Sequence, residues 1–338
     1  MTRVRLGAVT YLNARPCVVG LDRHPRFDVR FDLPARCAAL LHDGAIDLGL
    51  VPSIEYLRGP GGADGYRIVP EVAIASFGPV ASVALYTTRP ISEVESIALD
   101  TSSRTSVTLT RVLCARAWHI NPTFEHSGPD LPAMLERCDA ALIIGDAALF
   151  LDPATVRLKP ATTYPTATVR FESETSGGPD RVRPTYAADG RSALVGRTLS
   201  GPAERTLSGP AERTLSGPAE RASSGPAVAA VEKIDLGETW TNTTGLPFVY
   251  AFWAGPPGRL SAEDVRAIQR ARDAGVADPG RVASDYLNDP ALNSIGARYL
   301  RDNIRYSLGE PERAGLEMFY RYAAELGLVP NPGSLRFF

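Results

Sequence analysis

The tightest constraint on this chain is a grammar that occurs twice between residues 4 and 57: a short apolar strand, a polar loop, then a helix start. Val4 to Val9 is a run of β-branched and small apolar side chains that reads as a buried strand. Pro16 has the fixed φ suited to the first turn of a following helix. Tyr11 to Arg15 is then a strand-to-helix loop. In an open α/β sheet such loops lie at the carboxyl ends of the strands, where ligands bind, so Tyr11, Asn13 and Arg15 are candidate ligand contacts. On this stretch alone the plainer reading stays open, with Asn13 a helix cap and Arg15 a solvated charge. The second occurrence runs from a helix end at Gly44 through the apolar strand Ile46 to Val51, with a new helix expected to begin near Ser53.

Between these stretches, Phe27 to Phe31 alternates as a strand, and Pro34 to His42 reads as a helix. Strands alternating with helices in this way predict a doubly wound parallel sheet. Tyr66 to Ser76 and Ser82 to Thr87 supply further strands around the turn at Gly78-Pro79. After Arg89-Pro90 a second α/β unit starts afresh, with a strand at Ile97 to Leu99, a helix from Thr105 to Trp118 and a strand from Ala140 to Ile144. Leu246 to Trp253 is another strand-like run, and Ser261 to Ala274 and Glu312 to Leu326 have helical spacing whose expected role is packing.

A length of 338 residues suffices for two domains, and 44% hydrophobic with 22% charged residues is the balance of a globular protein. A formal net charge of −2 with dispersed basic residues offers no footprint for nucleic acid, and no apolar run approaches the length of a membrane span. Met1-Thr2-Arg3 leads into the first strand without an apolar signal segment, so a cytoplasmic location is expected. Cys17, Cys37, Cys114 and Cys138 are widely spaced, and neither they nor the four histidines have the spacing of a metal site. Between Leu151 and Glu232 the grammar fails: the octet Arg197 to Glu204 recurs identically at 205–212 and 213–220. With Gly-Pro in each unit and one Leu per repeat, it lacks the apolar face that would offset the entropy of ordering, and a disordered loop is expected over 153–231.

Several of these stretches together resemble one family. Tyr11-Leu12-Asn13-Ala14-Arg15-Pro16, the run Ile46 to Ser53, Leu99-Asp100-Thr101-Ser102-Ser103-Arg104-Thr105-Ser106, Ala141 to Asp146 and Asp235 to Trp240 are similar to chorismate dehydratases, the MqnA enzymes of menaquinone biosynthesis. The Pro- and Thr-rich flank from Arg157 to Arg191 is unlike that family. The resemblance implies a two-domain α/β fold of the type II periplasmic-binding-protein kind, with the ligand cleft between the domains. The expected division is 1–87 plus 251–338 for the first domain and 88–152 plus 232–250 for the second, with the chain crossing near Tyr86 to Pro90 and returning near Leu246 to Trp253.

The reaction implied is dehydration of chorismate to 3-[(1-carboxyvinyl)oxy]benzoate, in which a ring proton and the neighbouring hydroxyl leave. It needs recognition of two carboxylates, a base and help for the departing hydroxide, but no redox cofactor and no metal. Ser102, Ser103, Thr105 and Ser106 crowd a helix start, where backbone N–H groups, the helix dipole and hydroxyls favour an anion. One hydroxyl would suffice for an N-cap. Asn13 is the candidate donor to the leaving hydroxyl and Ser82 a second catalytic candidate, its alternative being a plain strand-end hydroxyl. Tyr11, Arg15, Ser53, Ser103, Thr105, Ser106 and Asp146 are the candidate substrate-binding residues. For the base, Glu55, Asp47, Asp100 and Asp146 lie in motifs but also suit structural roles. Proton removal by the substrate's own enolpyruvyl carboxylate is preferred, with the protein supplying orientation and electrostatics. Two rivals share the fold: a non-catalytic small-anion solute-binding protein, and the sister enzyme 1,4-dihydroxy-6-naphthoate synthase, which the Tyr11 to Pro16 loop disfavours.

Overall fold

A computed structural model describes residues 3–61, 65–156 and 230–338. The octet repeat lies outside these residues; of the loop expected over 153–231 only 153–156 and 230–231 are described, and the first of these hold a 3-10 turn at Pro153–Thr155. In chain order the elements are β1 (Val4–Val9), β2 (Phe27–Asp32), α1 (Pro34–His42), β3 (Leu48–Pro52), α2 (Glu55–Arg58), β4 (Arg67–Ser76) and β5 (Val83–Thr87). There follow β6 (Ser96–Asp100), α3 (Arg104–Leu113), β7 (Thr123–Ser127), α4 (Leu131–Leu135), β8 (Ala140–Ile144), α5 (Gly145–Phe150), β9 (Glu232–Asp235) and α6 (Leu236–Thr244). The chain closes with β10 (Phe248–Gly255), α7 (Ala262–Ala277), α8 (Pro279–Tyr286), α9 (Pro290–Arg298) and α10 (Glu310–Glu325).

The strands form two five-stranded sheets, ordered β2-β1-β3-β10-β4 and β7-β6-β8-β5-β9. Each has a parallel trio (β2, β1, β3 in one; β7, β6, β8 in the other) extended by antiparallel strands: β10 pairs antiparallel with β3 and β4, and β5 with β8 and β9. The sheets are therefore mixed, not purely parallel as the helix-strand alternation predicted. The strand that arrives after each crossing enters its sheet against the direction of its neighbours.

The crossings fall earlier than expected. β5 belongs wholly to the second sheet, so the chain changes lobe at 77–82, before that strand begins. It returns at 245–247, and all of β10 lies in the first sheet. Both strands are buried along their whole length, so their apolar sequence is alike whichever sheet receives them. The first crossing is pinned by Asp235, whose carboxylate accepts from the Val80 and Ala81 N–H groups as well as from Gly237 and Glu238 at the start of α6. Lys233 Nζ donates to the carbonyls of Ala81 and Ala148 from the same side.

Local signals set the helix bounds. α1 has Pro34 in its first turn and ends before Gly44, whose φ is +69°. α7 opens with a capping box between Ser261 and Asp264. After β1, however, the helix does not wait for Pro16: a 3-10 helix spans Leu12–Val18 with Pro16 inside it. Gly275 of α7 packs there so closely that a Cβ would lie 2.4 Å from the Pro16 backbone, so only glycine lets α7 sit on this turn. All four cysteines are buried and free. Burial pushes the thiols of Cys17, Cys37 and Cys114 up to about 12, which suits core residues and not nucleophiles. Among the described residues no helix is long and apolar enough to cross a membrane.

Candidate functional site

The carboxyl ends of β1, β3 and β8 meet where the two lobes face each other. Val9, Pro52 and Ile144 at those ends, together with Tyr11, Asn13, Ile74, Val83, Ser103, Ser106, Gly145 and Tyr250, line a narrow cleft with a cavity volume of about 40 Å³.

The turn after β1 alternates buried Leu12 and Ala14 with half-buried Tyr11, Asn13 and Arg15, so one stretch anchors itself while presenting polar groups. Tyr11 donates to Ser102 Oγ at 3.2 Å and packs its ring on Gly145. Asn13 lines the cleft and makes no cap at the head of the 3-10 helix. Its backbone carbonyl accepts from the Tyr306 hydroxyl at 3.0 Å. Arg15 is neither in the lining nor a solvated charge. Its guanidinium stacks over Phe31 and Tyr286, 4.4 and 4.7 Å from the ring centroids, and donates to the Thr10 carbonyl.

At the start of α3 the four hydroxyls divide. Ser103 is the N-cap: its Oγ accepts from the Ser106 N–H at 3.4 Å and from Ser106 Oγ at 3.1 Å, and both side chains line the cleft. Ser102 takes the Tyr11 hydrogen bond. Thr105 turns the other way, wholly buried, to accept from the Ile54 N–H at 3.1 Å and to lie 3.4 Å from Ser53 Oγ. Ser53 in turn donates to the Val249 carbonyl at 2.8 Å. Ser53 and Thr105 thus satisfy each other across the lobes and do not line the cleft.

Asp146 also sits behind the lining. Its carboxylate accepts from the Leu12 N–H at 3.1 Å and from the Tyr286 hydroxyl, tying α5 to the 3-10 turn and to α8. Burial raises its pKa, and the Tyr286 and Leu12 hydrogen bonds oppose the rise. Ser82 is buried below the surface at the head of β5, its Oγ accepting from Tyr299 at 2.7 Å and its carbonyl from the Gly145 N–H. The other acids from the motifs are engaged elsewhere. Glu55 is enclosed by Arg104 at 2.6 Å, Arg58 at 3.4 Å and His42 at 3.8 Å. Asp47 is held by Arg5, and Asp100 by the Ser102 N–H at 2.9 Å. Among the described residues lining the cleft there is no carboxylate.

Two tyrosines here have no sequence signal of their own. Tyr250 on β10 lines the cleft with its hydroxyl 3.1 Å from Ser76 Oγ, and burial raises its pKa well above the usual value. Tyr299 lies between the two segments, Ser261 to Ala274 and Glu312 to Leu326, that the sequence assigned to packing, in a stretch that carried no reading of its own. An unusual density of tyrosine in that region (Tyr286, Tyr299, Tyr306) is the one trace the sequence carries of it.

Two mixed α/β sheets joined by two crossings, with a cleft at the strand ends whose mainly apolar lining holds a few hydroxyls and one amide, define a periplasmic-binding-protein-like fold. Solved structures agree. A protein from Archaeoglobus fulgidus superposes with a TM-score of 0.59 at 14% identity, covering 97% of this chain and 98% of that one. The alkanesulfonate-binding protein of Xanthomonas axonopodis pv. citri, bound to MOPS, gives 0.55 at 13% identity, with 98% and 95% covered. At such identities the likeness is one of fold. The chain belongs to the menaquinone biosynthesis family, whose family model matches residues 4–162 and 223–325. Its relatives include the chorismate dehydratase of Thermus thermophilus, 27% identical over 334 residues that span 94% of this chain and 98% of that one.

Proposed function

We propose that this protein is a chorismate dehydratase, a hydro-lyase that converts chorismate to 3-[(1-carboxyvinyl)oxy]benzoate and water in the cytoplasmic synthesis of menaquinone. The family membership and the Thermus relative support the reaction. The observation that carries the mechanism is the make-up of the cleft: one amide and several hydroxyl groups face it, and the carboxylates of Glu55, Asp100 and Asp146 are held off its lining by Arg104, Tyr286 and backbone N–H groups.

A site without its own carboxylate suits a substrate that brings two. One carboxylate of chorismate lies at the start of α3, where Ser103, Ser106 and the positive end of the helix stabilise it. The enolpyruvyl carboxylate takes the ring proton beside it. The electron pair of that C–H bond becomes the new ring double bond, the neighbouring C–O bond breaks, and the hydroxide leaves as water by taking the proton back from the enolpyruvyl carboxyl, which returns to its carboxylate form. Asn13 donates to that oxygen as its charge grows, and Tyr11 and Tyr250 confine the ring. Exclusion of protein carboxylates keeps like charges away from a dianion, where they would raise its energy.

The test is to incubate the purified full-length chain with chorismate and follow the aromatic product by absorbance and mass. Appearance of an aromatic acid lighter than chorismate by one water is expected. Chorismate recovered unchanged from a folded protein that binds it would make the chain a binding protein.

A further inference from the structure

Helix α3 serves two cavities. Ser103 and Ser106 turn toward the cleft, whereas Arg104, Thr108 and Arg111 recur at i, i+4 and i+7 along a different face of the helix. With Arg58, Thr101 and His126 these three line a cavity of about 460 Å³ that shares no lining residue with the cleft. That volume is ample for a small molecule. Arg58 comes from α2 in the first lobe, and the other five follow or belong to strands of the second sheet, so both lobes supply cations to one space.

The arginines are held in place with donors to spare. Wholly buried Glu55 takes Nη1 of Arg104 at 2.6 Å and Nη1 of Arg58 at 3.4 Å. Arg58 Nη2 is fixed further by Thr108 Oγ1 at 3.4 Å and the Leu328 carbonyl at 3.3 Å. Arg111 has no carboxylate partner among the described residues, and its guanidinium lies flat on Phe124, 4.5 Å from the ring centroid. Stacking covers the face of a guanidinium and leaves its N–H edge for hydrogen bonds. His126 stands two residues beyond Phe124 on β7 and so on the same face of that strand. Among the described residues, Arg104 Nε and Nη2 and every side-chain N–H of Arg111 lack an acceptor. Three guanidiniums thus share one carboxylate, a surplus of two positive charges whose mutual repulsion a bound anion would relieve.

We propose that this cavity is a phosphate-binding site, separate from the cleft, which takes inorganic phosphate or the phosphate group of a small ester and so ties the two lobes together. Guanidinium forks bind pairs of oxygens, and a phosphate group, with its several oxygens in a tetrahedral array, can engage more than one fork at once where a carboxylate has only two oxygens. The Thr101 hydroxyl adds a donor at the rim. The site goes beyond the dehydratase reading and does not depend on it.

The test is calorimetric titration of the full-length chain, in a neutral buffer free of phosphate, with inorganic phosphate, with ribose 5-phosphate and with sodium chloride of matched ionic strength. Saturable binding of one phosphate per chain is expected, and none of chloride. Ribose 5-phosphate binding more tightly than phosphate would identify an organic ester as the ligand, and equal binding would show that the phosphate group alone is read. Arg111→Ala should weaken binding by about tenfold or more. Thr101→Glu, at an exposed position that leaves the packing of α3 alone, should abolish it by setting a carboxylate among the arginines. Ser106→Ala, in the cleft, should change the affinity for phosphate by less than about twofold. Phosphate should also raise the melting temperature of the wild type and not that of Thr101→Glu. Absence of saturable phosphate binding, or wild-type affinity in folded Arg111→Ala and Thr101→Glu, overturns the proposal. Neither readout needs turnover of chorismate, so failure of the functional reading and failure of this site are told apart.

Discussion

The ring of Tyr11 lies against Gly145 so closely that a Cβ on the glycine would stand 2.9 Å from both Cε1 and Cζ. Tyr11 follows β1 of the first sheet and Gly145 begins α5 after β8 of the second, so this contact is part of the seam where the lobes meet. Gly145 also has φ +67°, a conformation that side chains other than glycine rarely adopt. Gly145→Ala is therefore strained twice over, in its backbone and against the ring. Its expected cost is about 1–3 kcal/mol of stability, with a raised KM as Tyr11 is displaced from the lining. Denaturant unfolding and steady-state kinetics on one preparation check both parts. Unchanged stability would mean that the seam opens without cost.

Asn13 faces the cleft with no capping duty. If it stabilises hydroxide as it leaves, Asn13→Ala removes an interaction stronger in the transition state than in the ground state and lowers kcat more than it raises KM. A loss of about 10²–10³ in rate is the typical cost of one such donor. Asn13→Asp should be slower still, since it sets a negative charge beside a dianion. Single-turnover conversion of chorismate by the folded variants, with circular dichroism as the control, measures the effect. Chemistry at the wild-type rate would remove Asn13 from the mechanism.

Thr105 and Ser106 are adjacent in sequence and opposite in role. Thr105→Val leaves the Ile54 N–H buried without its acceptor, so about 1–3 kcal/mol of stability should be lost, which thermal unfolding reads directly. Ser106→Ala should instead keep the fold and raise KM by about 3- to 10-fold through loss of the hydroxyl that donates to Ser103 Oγ and so leaves the Ser103 proton for the carboxylate. Equal effects of the two changes on KM would contradict this separation.

Arg5 and Asp47 join β1 to the loop before β3 through the Arg5 N–H, Nε and a terminal guanidinium nitrogen. The Arg5 side-chain hydrogen bond is the main cause that holds the Asp47 carboxyl below its ordinary value of 3.8. A carboxyl with a lowered folded-state pKa binds fewer protons folded than unfolded, so its contribution is present above that ordinary value and is lost as pH falls through the folded one. Asp47→Asn should therefore cost about 1–3 kcal/mol at neutral pH, and the gap to wild type should close on acidification below 3.8. Urea unfolding at a series of pH values tests it. A gap independent of pH would show that packing, not charge, holds this pair.

The sequence by itself determined the local structure and the address of the site. Helix α1 from Pro34 to His42, the strand Ala140 to Ile144 and a helix start among the hydroxyls Ser102 to Ser106, read at Thr105 and found at Arg104, follow from apolar periodicity and end signals, which act over a few residues. The loop after β1 and the head of α3 were legible as ligand-facing because strand ends in α/β sheets face the ligand, and Tyr11, Asn13, Ser103 and Ser106 do line the cleft. Which sheet receives β5 and β10 was decided only by tertiary structure. A strand buried on both faces carries no mark of its partner, and the choice rests on pairings between residues far apart in sequence, Ala84 with Ile143 or Phe252 with Val51. The same holds for the hydroxyls of α3, which are chemically alike in sequence. The turn of the helix and the approach of Ser53 and Ile54 send Thr105 into the lobe contact and leave Ser103 and Ser106 to the cleft. Tyr299 meets Ser82 from 217 positions away, and no local pattern records contacts at that range.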